Sequence, residues 1–126
     1  MPFSSQRILC VDRDHDSCQM MRAVLGLVGY EVYSVGSVAA GLRLARSQHF
    51  DCFLLDYAFP DGTGIEFCQQ IRASGSDVPV IFCSAYRRKA DHQQAIEAGA
   101  QAYFVKPVDI GVLRQTLIGL GLRGTF

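Results

Sequence analysis

Five short apolar runs punctuate the chain, at 8–11, 32–35, 52–55, 80–83 and 103–105. Most are continuous rather than alternating, which suits strands covered on both faces. The run at 32–35 is weaker, as an edge strand would be. Between the runs lie stretches with helical spacing. Met21, Val24, Leu25 and Val28 repeat at three and four residues, and Gly29 follows as a stop signal. Val38, Leu42 and Ala45 form a second stripe, and Ile65, Cys68 and Ile71 a third. Ile110, Leu113, Leu117 and Leu120 form another, with Asp109 placed to cap it. The stretch 90–98 offers only Ala90, Ala95, Ile96 and Ala98 as apolar anchors before Gly99. A helix there is lightly held and a candidate for motion.

Strand and helix thus alternate five times. The predicted fold is an α/β (βα)5 unit, a doubly wound parallel five-stranded sheet with crossover helices on its faces. The 126 residues make one domain, with a core at about 7–120. With 49% hydrophobic and 19% charged residues the chain is too apolar for intrinsic disorder. Equal numbers of acidic and basic residues give zero formal net charge, which argues against direct binding to bulk nucleic acid. No stretch approaches the ~20 apolar residues that cross a bilayer, so no membrane association is expected. The start does not read as a signal peptide. The five cysteines, Cys10, Cys18, Cys52, Cys68 and Cys83, are odd in number and lack a C-x-x-C pair. They read as buried reduced thiols and place the chain in the cytoplasm. His15, His49 and His92 are scattered and read as surface residues.

In open parallel sheets, function sits beyond the carboxyl ends of the strands. Asp12-Arg13-Asp14 follows the first run, Asp56 the third, Ser84 the fourth and Lys106-Pro107 the fifth. Any one of these would suit a cap or a turn. Together they place carboxylates, a hydroxyl and an ammonium at one sheet edge. Clustered carboxylates repel one another unless a cation is shared. Two of them with water and carbonyl oxygens make a Mg²⁺ site. A nearby ammonium and hydroxyl can receive an anion. The set fits a carboxylate that accepts a phosphoryl group.

These residues resemble the receiver domain of two-component response regulators. The resemblance rests on Asp12, on Asp56 followed by Pro60 and Gly64, on Ser84-Ala85, on Ala98-Gly99-Ala100, and on Tyr103-Phe104-Val105-Lys106-Pro107. It covers about 7–120 and implies the flavodoxin-like sheet order 2-1-3-4-5. It further implies that Asp56 is the phosphoacceptor, forming an aspartyl phosphate with a phosphoryl group from a sensor histidine kinase or phosphotransfer protein. Asp12, Asp56 and the backbone carbonyl of Ala58 would hold Mg²⁺. Ser84 would bond the phosphoryl oxygen and Lys106 would neutralise it, with the Lys106–Pro107 bond cis. Tyr103 would be the aromatic switch, its ring turning inward as Ser84 moves. A downstream protein or a second copy would then meet the 90–120 surface. Such a domain is a signalling phosphoprotein, not an enzyme beyond weak self-dephosphorylation.

One position departs from the pattern. The family usually has two consecutive acids after the first strand, and here the second is Arg13, with Asp14 one residue later. Arg13 is expected to weaken Mg²⁺ binding, either pairing with Asp12 or Asp56 itself or pointing to solvent while Asp14 or water completes the site. It also keeps alive a pseudo-receiver, an interaction module free of phosphoryl control. Asp61-Gly62-Thr63 looks like part of a haloacid dehalogenase nucleophile motif, but Phe59 stands where that motif needs an Asp. Asp61-Gly62 reads better as a turn. A P-loop is excluded because no G-x-x-x-x-G-K-[ST] exists. Arg87-Arg88-Lys89 reads as a solvated basic face. Whether the chain stands alone or belongs to a longer regulator is open.

Overall fold

The computed structural model describes residues 6–124. Its elements in chain order are β1 (Arg7–Val11), α1 (His15–Leu27), β2 (Glu31–Val35), α2 (Val38–Ser47), β3 (Cys52–Leu55), β4 (Ala58–Phe59), β5 (Gly62–Thr63), α3 (Gly64–Ala73), β6 (Val80–Ser84), α4 (Lys89–Glu97), β7 (Ala102–Val105) and α5 (Ile110–Gly119). The main sheet is parallel, in the order β2-β1-β3-β6-β7. Counting only its five strands, this is the order 2-1-3-4-5. The weak run at 32–35 is an edge strand.

Alternation along the strands sorts the core into two layers. Ile8, Cys10, Cys52, Leu54, Ile81 and Cys83 face Met21 and Leu25 of α1 and Leu113 and Leu117 of α5. Leu9, Val11, Phe53, Leu55, Val80 and Phe82 face Leu42 of α2, Phe67 and Ile71 of α3, and Ala95 of α4. Both faces are therefore apolar on every central strand, which is why those strands read as unbroken runs. Phe67, buried completely, lies outside the stripe expected for α3. Burial of a ring that size contributes ~2–3 kcal/mol.

The helix boundaries follow local chemistry. Ser37, Thr63 and Asp109 cap α2, α3 and α5 with side-chain oxygens. Gly29 and Gly99 take φ of 95° and 111° where α1 and α4 end, a conformation that favours glycine. All five cysteines are free and buried. The three histidines are exposed.

Two features differ from expectation. A two-residue hairpin, β4 with β5, follows β3 and was not signalled by any apolar run. In α4, Ala90 is exposed and Ile96 is 41% exposed, so neither anchors the helix. Asp91 and Ala95 are buried instead. The Asp91 carboxylate accepts from the Arg88 backbone N–H at 3.2 Å and from its guanidinium at 3.1 and 3.2 Å. An ion-paired cap replaces an apolar contact at that helix start. The hydrogen bonds from Arg88 hold the Asp91 carboxyl below its ordinary value.

Candidate functional site

The carboxyl ends of β1, β3, β6 and β7 bring Asp12, Asp56, Ser84 and Lys106 to one edge of the sheet. Lys106 Nζ donates to Asp12 Oδ2 at 2.7 Å and to Asp56 Oδ2 at 3.5 Å. The same nitrogen lies 3.5 Å from Ser17 Oγ on α1. The opposite oxygens are held by backbone: Asp12 Oδ1 accepts from Asp14 N at 2.8 Å, and Asp56 Oδ1 from Tyr57 N at 2.7 Å. Asp12, Ser84 and Asp91 are the buried polar side chains among the described residues, and two of these three stand at this site. The Asp56 side chain keeps 16% exposure against 5% for Asp12, so Asp56 is the carboxylate that an incoming group can reach.

Burial pushes the Asp12 carboxyl up, and the Asp56 charge adds to this; the hydrogen bond from Lys106 opposes it. Burial works to lower Lys106, but the bond to Asp12 and the two carboxylate charges outweigh it and leave the ammonium raised. Two carboxylates against one ammonium leave a net negative charge in a partly desolvated site. That excess, carried by hard oxygen donors, fits a divalent cation such as Mg²⁺. Asp12 and Asp56 are the carboxylates that could hold it. A cavity of about 300 Å³ opens beside the carboxylates, walled by Met20, Met21, Leu54 and Val108.

Gly64 sets the shape of the loop after Asp56. A β carbon there would lie 2.3 Å from the Asp56 carbonyl oxygen and 2.8 Å from the Phe82 ring. Only glycine lets the start of α3 pass this close, and Gly64 N donates to Tyr57 O at 2.8 Å. Pro60 is exposed in the hairpin turn. The Lys106–Pro107 bond is cis.

Ser84 is fully buried, and its Oγ accepts from Tyr86 N at 3.1 Å. The Tyr103 hydroxyl donates to the Tyr86 carbonyl at 2.6 Å. Its ring stacks on Phe82, with centroids 5.7 Å apart, and on His92 at 5.3 Å. Tyr103 is thus half-buried and turned toward the Ser84 loop, and its hydroxyl is spoken for.

Of the two alternatives for Arg13, pairing in the pocket and pointing to solvent, the structure shows the second. Arg13 is exposed, and among the described residues it makes no ion pair with Asp12 or Asp56. Lys106, arriving from β7, already holds the oxygens that Arg13 would have needed. Asp14 is the N-cap of α1, accepting from Asp16 N at 3.0 Å and from Ser17 Oγ at 3.2 Å. Those bonds hold its carboxyl low, the bonds from Ser17 first among them. Its carboxylate is engaged at the helix start.

Three residues escaped sequence reasoning. Ser17, three residues after the N-cap Asp14, donates to that cap's carboxylate and lies beside Lys106; the Asp N-cap is the signal that places it in the first turn of α1. Tyr57 lies next to Asp56, packs on Phe82 and Tyr86, and donates to Gln94 Oε1 at 2.5 Å. It ties the loop after Asp56 to α4. Asp61 accepts from Val38 N and Ala39 N at 3.0 Å each, capping α2 from across the hairpin. Its carboxylate is occupied by helix amides, which removes it as a nucleophile.

Comparison with known proteins agrees with this geometry. The response regulator receiver domain family matches residues 8–118. The response regulator PilR of Pseudomonas aeruginosa is 33% identical over 121 residues, covering 96% of this chain and 27% of that protein. KdpE, the KDP operon transcriptional regulatory protein of Escherichia coli K12, is 36% identical over 110 residues, 87% of this chain and 48% of its own length. The chain therefore spans less than half the length of these curated relatives. Among solved structures, a CheY-like receiver domain protein from Methanospirillum hungatei superposes with TM-score 0.87 at 27% identity, covering 95% of this chain and 97% of that one. TrrA of Thermotoga maritima, in complex with Mg²⁺-BeF, superposes with TM-score 0.83 at 25% identity, covering 91% and 98%. On sequence and fold together, the chain belongs to the response regulator receiver domains of two-component signalling.

Proposed function

We propose that Asp56 accepts a phosphoryl group from the phosphohistidine of a sensor histidine kinase or phosphotransfer protein. The observation that carries this is the single Lys106 ammonium shared by Asp12 Oδ2 and Asp56 Oδ2 beside an accessible Asp56. In the transfer a carboxylate oxygen of Asp56 forms a bond to phosphorus as the nitrogen–phosphorus bond of the donor breaks. The product is an acyl phosphate, and the nitrogen lone pair returns to the imidazole. The phosphoryl group brings about −1.5 to −2 charge and three acceptor oxygens. Lys106 neutralises part of that charge, and the Ser84 hydroxyl donates to a phosphoryl oxygen. Mg²⁺, when bound by Asp12, Asp56 and the Ala58 carbonyl, supplies electrostatic stabilisation of the transferred group. Movement of Ser84 toward the phosphoryl group would carry the Tyr86 backbone, and with it the Tyr103 hydroxyl and α4. The 90–120 surface is the output face.

We assign the chain as one receiver unit, 1–126 with its core at about 7–120, working as a signalling domain and not as an enzyme. No described helix is long and apolar enough to cross a membrane. The free buried thiols suit the reducing cytoplasm. The pseudo-receiver is the second reading, favoured only by Arg13 in place of a second acid after β1. Intact-mass measurement after incubation with acetyl phosphate, with and without Mg²⁺, separates the two. One hydroxylamine-labile phosphoryl group, absent from Asp56→Asn, supports the acceptor. No label at any Mg²⁺ concentration supports the pseudo-receiver.

A further inference from the structure

The cavity of about 300 Å³ beside the carboxylates has more wall than a phosphoryl group and its cation require. Its inner wall is Cys10, Met21, Leu54 and Cys83, all buried, and its outer wall is Met20 and Val108, both partly exposed. Burial pushes the Cys83 thiol up to about 12, so it stays uncharged and serves as apolar wall. A phosphoryl group with its charged oxygens gains nothing from these side chains. A cavity of this size, apolar inside and edged by a few convergent polar groups, is the usual form of a small-molecule site. The polar edge selects the charge of the occupant. Asp12 and Asp56 share the single Lys106 ammonium, which leaves one negative charge uncompensated at the edge.

We propose that this cavity binds a small amphipathic amine, its apolar body between Met21, Leu54 and Val108 and its cationic head on Asp12 and Asp56. The inference rests on the proposed phosphoacceptor reading and deepens it by naming a small-molecule regulator of the same site. The amine head occupies carboxylate oxygens that a divalent cation and a phosphodonor both need, so the bound ligand holds Asp56 unlabelled. A carboxylate head on the same body would bring another like charge to Asp12 and Asp56, which repels it. A neutral head gains the apolar contacts alone.

The probes are phenethylamine, the neutral 2-phenylethanol and the anionic 3-phenylpropionate, each titrated against the whole chain and followed by backbone amide chemical shifts. The amine should bind about tenfold tighter than the alcohol, with the propionate weakest and the amine's advantage shrinking in high salt. The shifts should centre on Met20, Leu54 and Val108. Asp56→Asn should remove most of the amine's advantage over the alcohol. Met20→Lys sets a like charge at the outer wall on an exposed helix position, and it should weaken the amine several-fold. Arg43→Glu, on the exposed face of α2, should leave it unchanged. Saturating amine should slow labelling of Asp56 by phosphoramidate, a donor that does not acylate amines, and the alcohol at equal concentration should slow it less. Equal binding of the three probes, shifts confined to other faces, a full amine advantage in Asp56→Asn, no loss in Met20→Lys, an equal loss in Arg43→Glu, or undiminished labelling under saturating amine would overturn the inference. Labelling of the ligand-free chain keeps the two readings apart. Normal labelling with no amine preference defeats the cavity inference alone. An amine preference in a chain that never labels defeats the phosphoacceptor and leaves the binding site standing.

Discussion

Lys106 Nζ donates to Asp12 Oδ2 across 2.7 Å although 94 residues separate the two along the chain. The contact exists because β1 and β7 end at the same sheet edge, and it holds Asp12 in a site where burial alone would drive the carboxyl toward protonation. Lys106→Met would leave two close carboxylates without their cation. We expect a loss of about 1–2 kcal/mol at pH 7, below the cost of breaking a fully buried pair because the lysine side chain is 23% exposed. Urea unfolding should show the loss shrinking near pH 4, as Asp12 protonates. Labelling of Asp56 should slow at both values. A loss as large at pH 4 as at pH 7 would mean that the lysine stem matters and its charge does not.

Gly64→Ala tests the close approach to the Asp56 backbone. The added methyl meets the Asp56 carbonyl oxygen at 2.3 Å, and a carbonyl in a strand-end loop cannot simply step aside. Overpacking of this kind costs about 3 kcal/mol. Denaturant midpoints should fall accordingly, and Asp56 labelling should fall further than in a surface glycine variant such as Gly26→Ala, whose methyl meets nothing within 4 Å.

The strands were legible because central strands covered on both faces leave no room for polar residues. Asp12, Asp56 and Ser84 were legible because each stands at the end of such a run, and Lys106 because it follows the apolar run of the edge strand β7; chain direction alone delivers all four to one end of the sheet. The hairpin of β4 and β5 was not, since two-residue strands have no periodicity to read. Nor was the capping of α2 by Asp61, whose partners lie 22 and 23 residues away and are brought near only by the tertiary fold. Asp91 hid for a related reason: its carboxylate is held by the Arg88 amide and guanidinium at the helix start, and a charged residue in a polar stretch gives no sign of that. Arg13 was recognised as the odd residue, but the choice between pairing and solvent turned on Lys106, which reaches the same oxygens from the other end of the chain.

Arg72 staples the α3–β6 connection. Its guanidinium donates to the carbonyls of Ser76 at 3.2 Å, Val78 at 2.7 Å and Gly99 at 2.7 Å, and to Gln101 Oε1 at 3.2 Å. Arg72→Ala leaves several half-buried carbonyls unpaired, with an expected cost of roughly 2–3 kcal/mol. Arg72→Lys should recover less than half, because one ammonium cannot match the spread of a guanidinium. Chemical denaturation of the three proteins measures this. Recovery to the parent value would show that charge and not geometry matters.

Asp61 offers a pH test with a defined sign. The backbone amides of Ala39 and Val38 hold its folded carboxyl below the ordinary value. A depressed carboxyl contributes stability that is present above its unfolded pKa of about 3.9 and lost as pH falls through the lower folded value. Asp61→Asn should therefore be less stable than the parent at pH 6, with the gap closing by about pH 2. Asp12, raised by burial, works in the opposite sense: its penalty fades as pH falls through the raised value. Unfolding curves of both proteins at matched ionic strength decide this, and a gap that widens toward acid would contradict it.

Arg13 stands where receivers usually place a second acid, and its exposed side chain leaves Asp12 and Asp56 to Lys106. It therefore acts on a cation in the pocket through charge alone. Replacing it by aspartate changes the local charge by two units. At ~8 Å in water this is worth about 2 kcal/mol on a divalent ion before screening, and under 1 kcal/mol at physiological salt. Charge alone then tightens Mg²⁺ about fivefold, and a new carboxylate ligand would add to that. Mg²⁺ titration of the parent, Arg13→Asp and Arg13→Gln separates the two contributions. If only charge acts, the neutral glutamine falls midway between the others on a logarithmic scale. If aspartate becomes a ligand, it stands well beyond that line while glutamine stays close to the parent. Equal Mg²⁺ affinity in all three would show that Arg13 does not tune the site, and faster labelling of Asp56 in Arg13→Asp at low Mg²⁺ would show that it does.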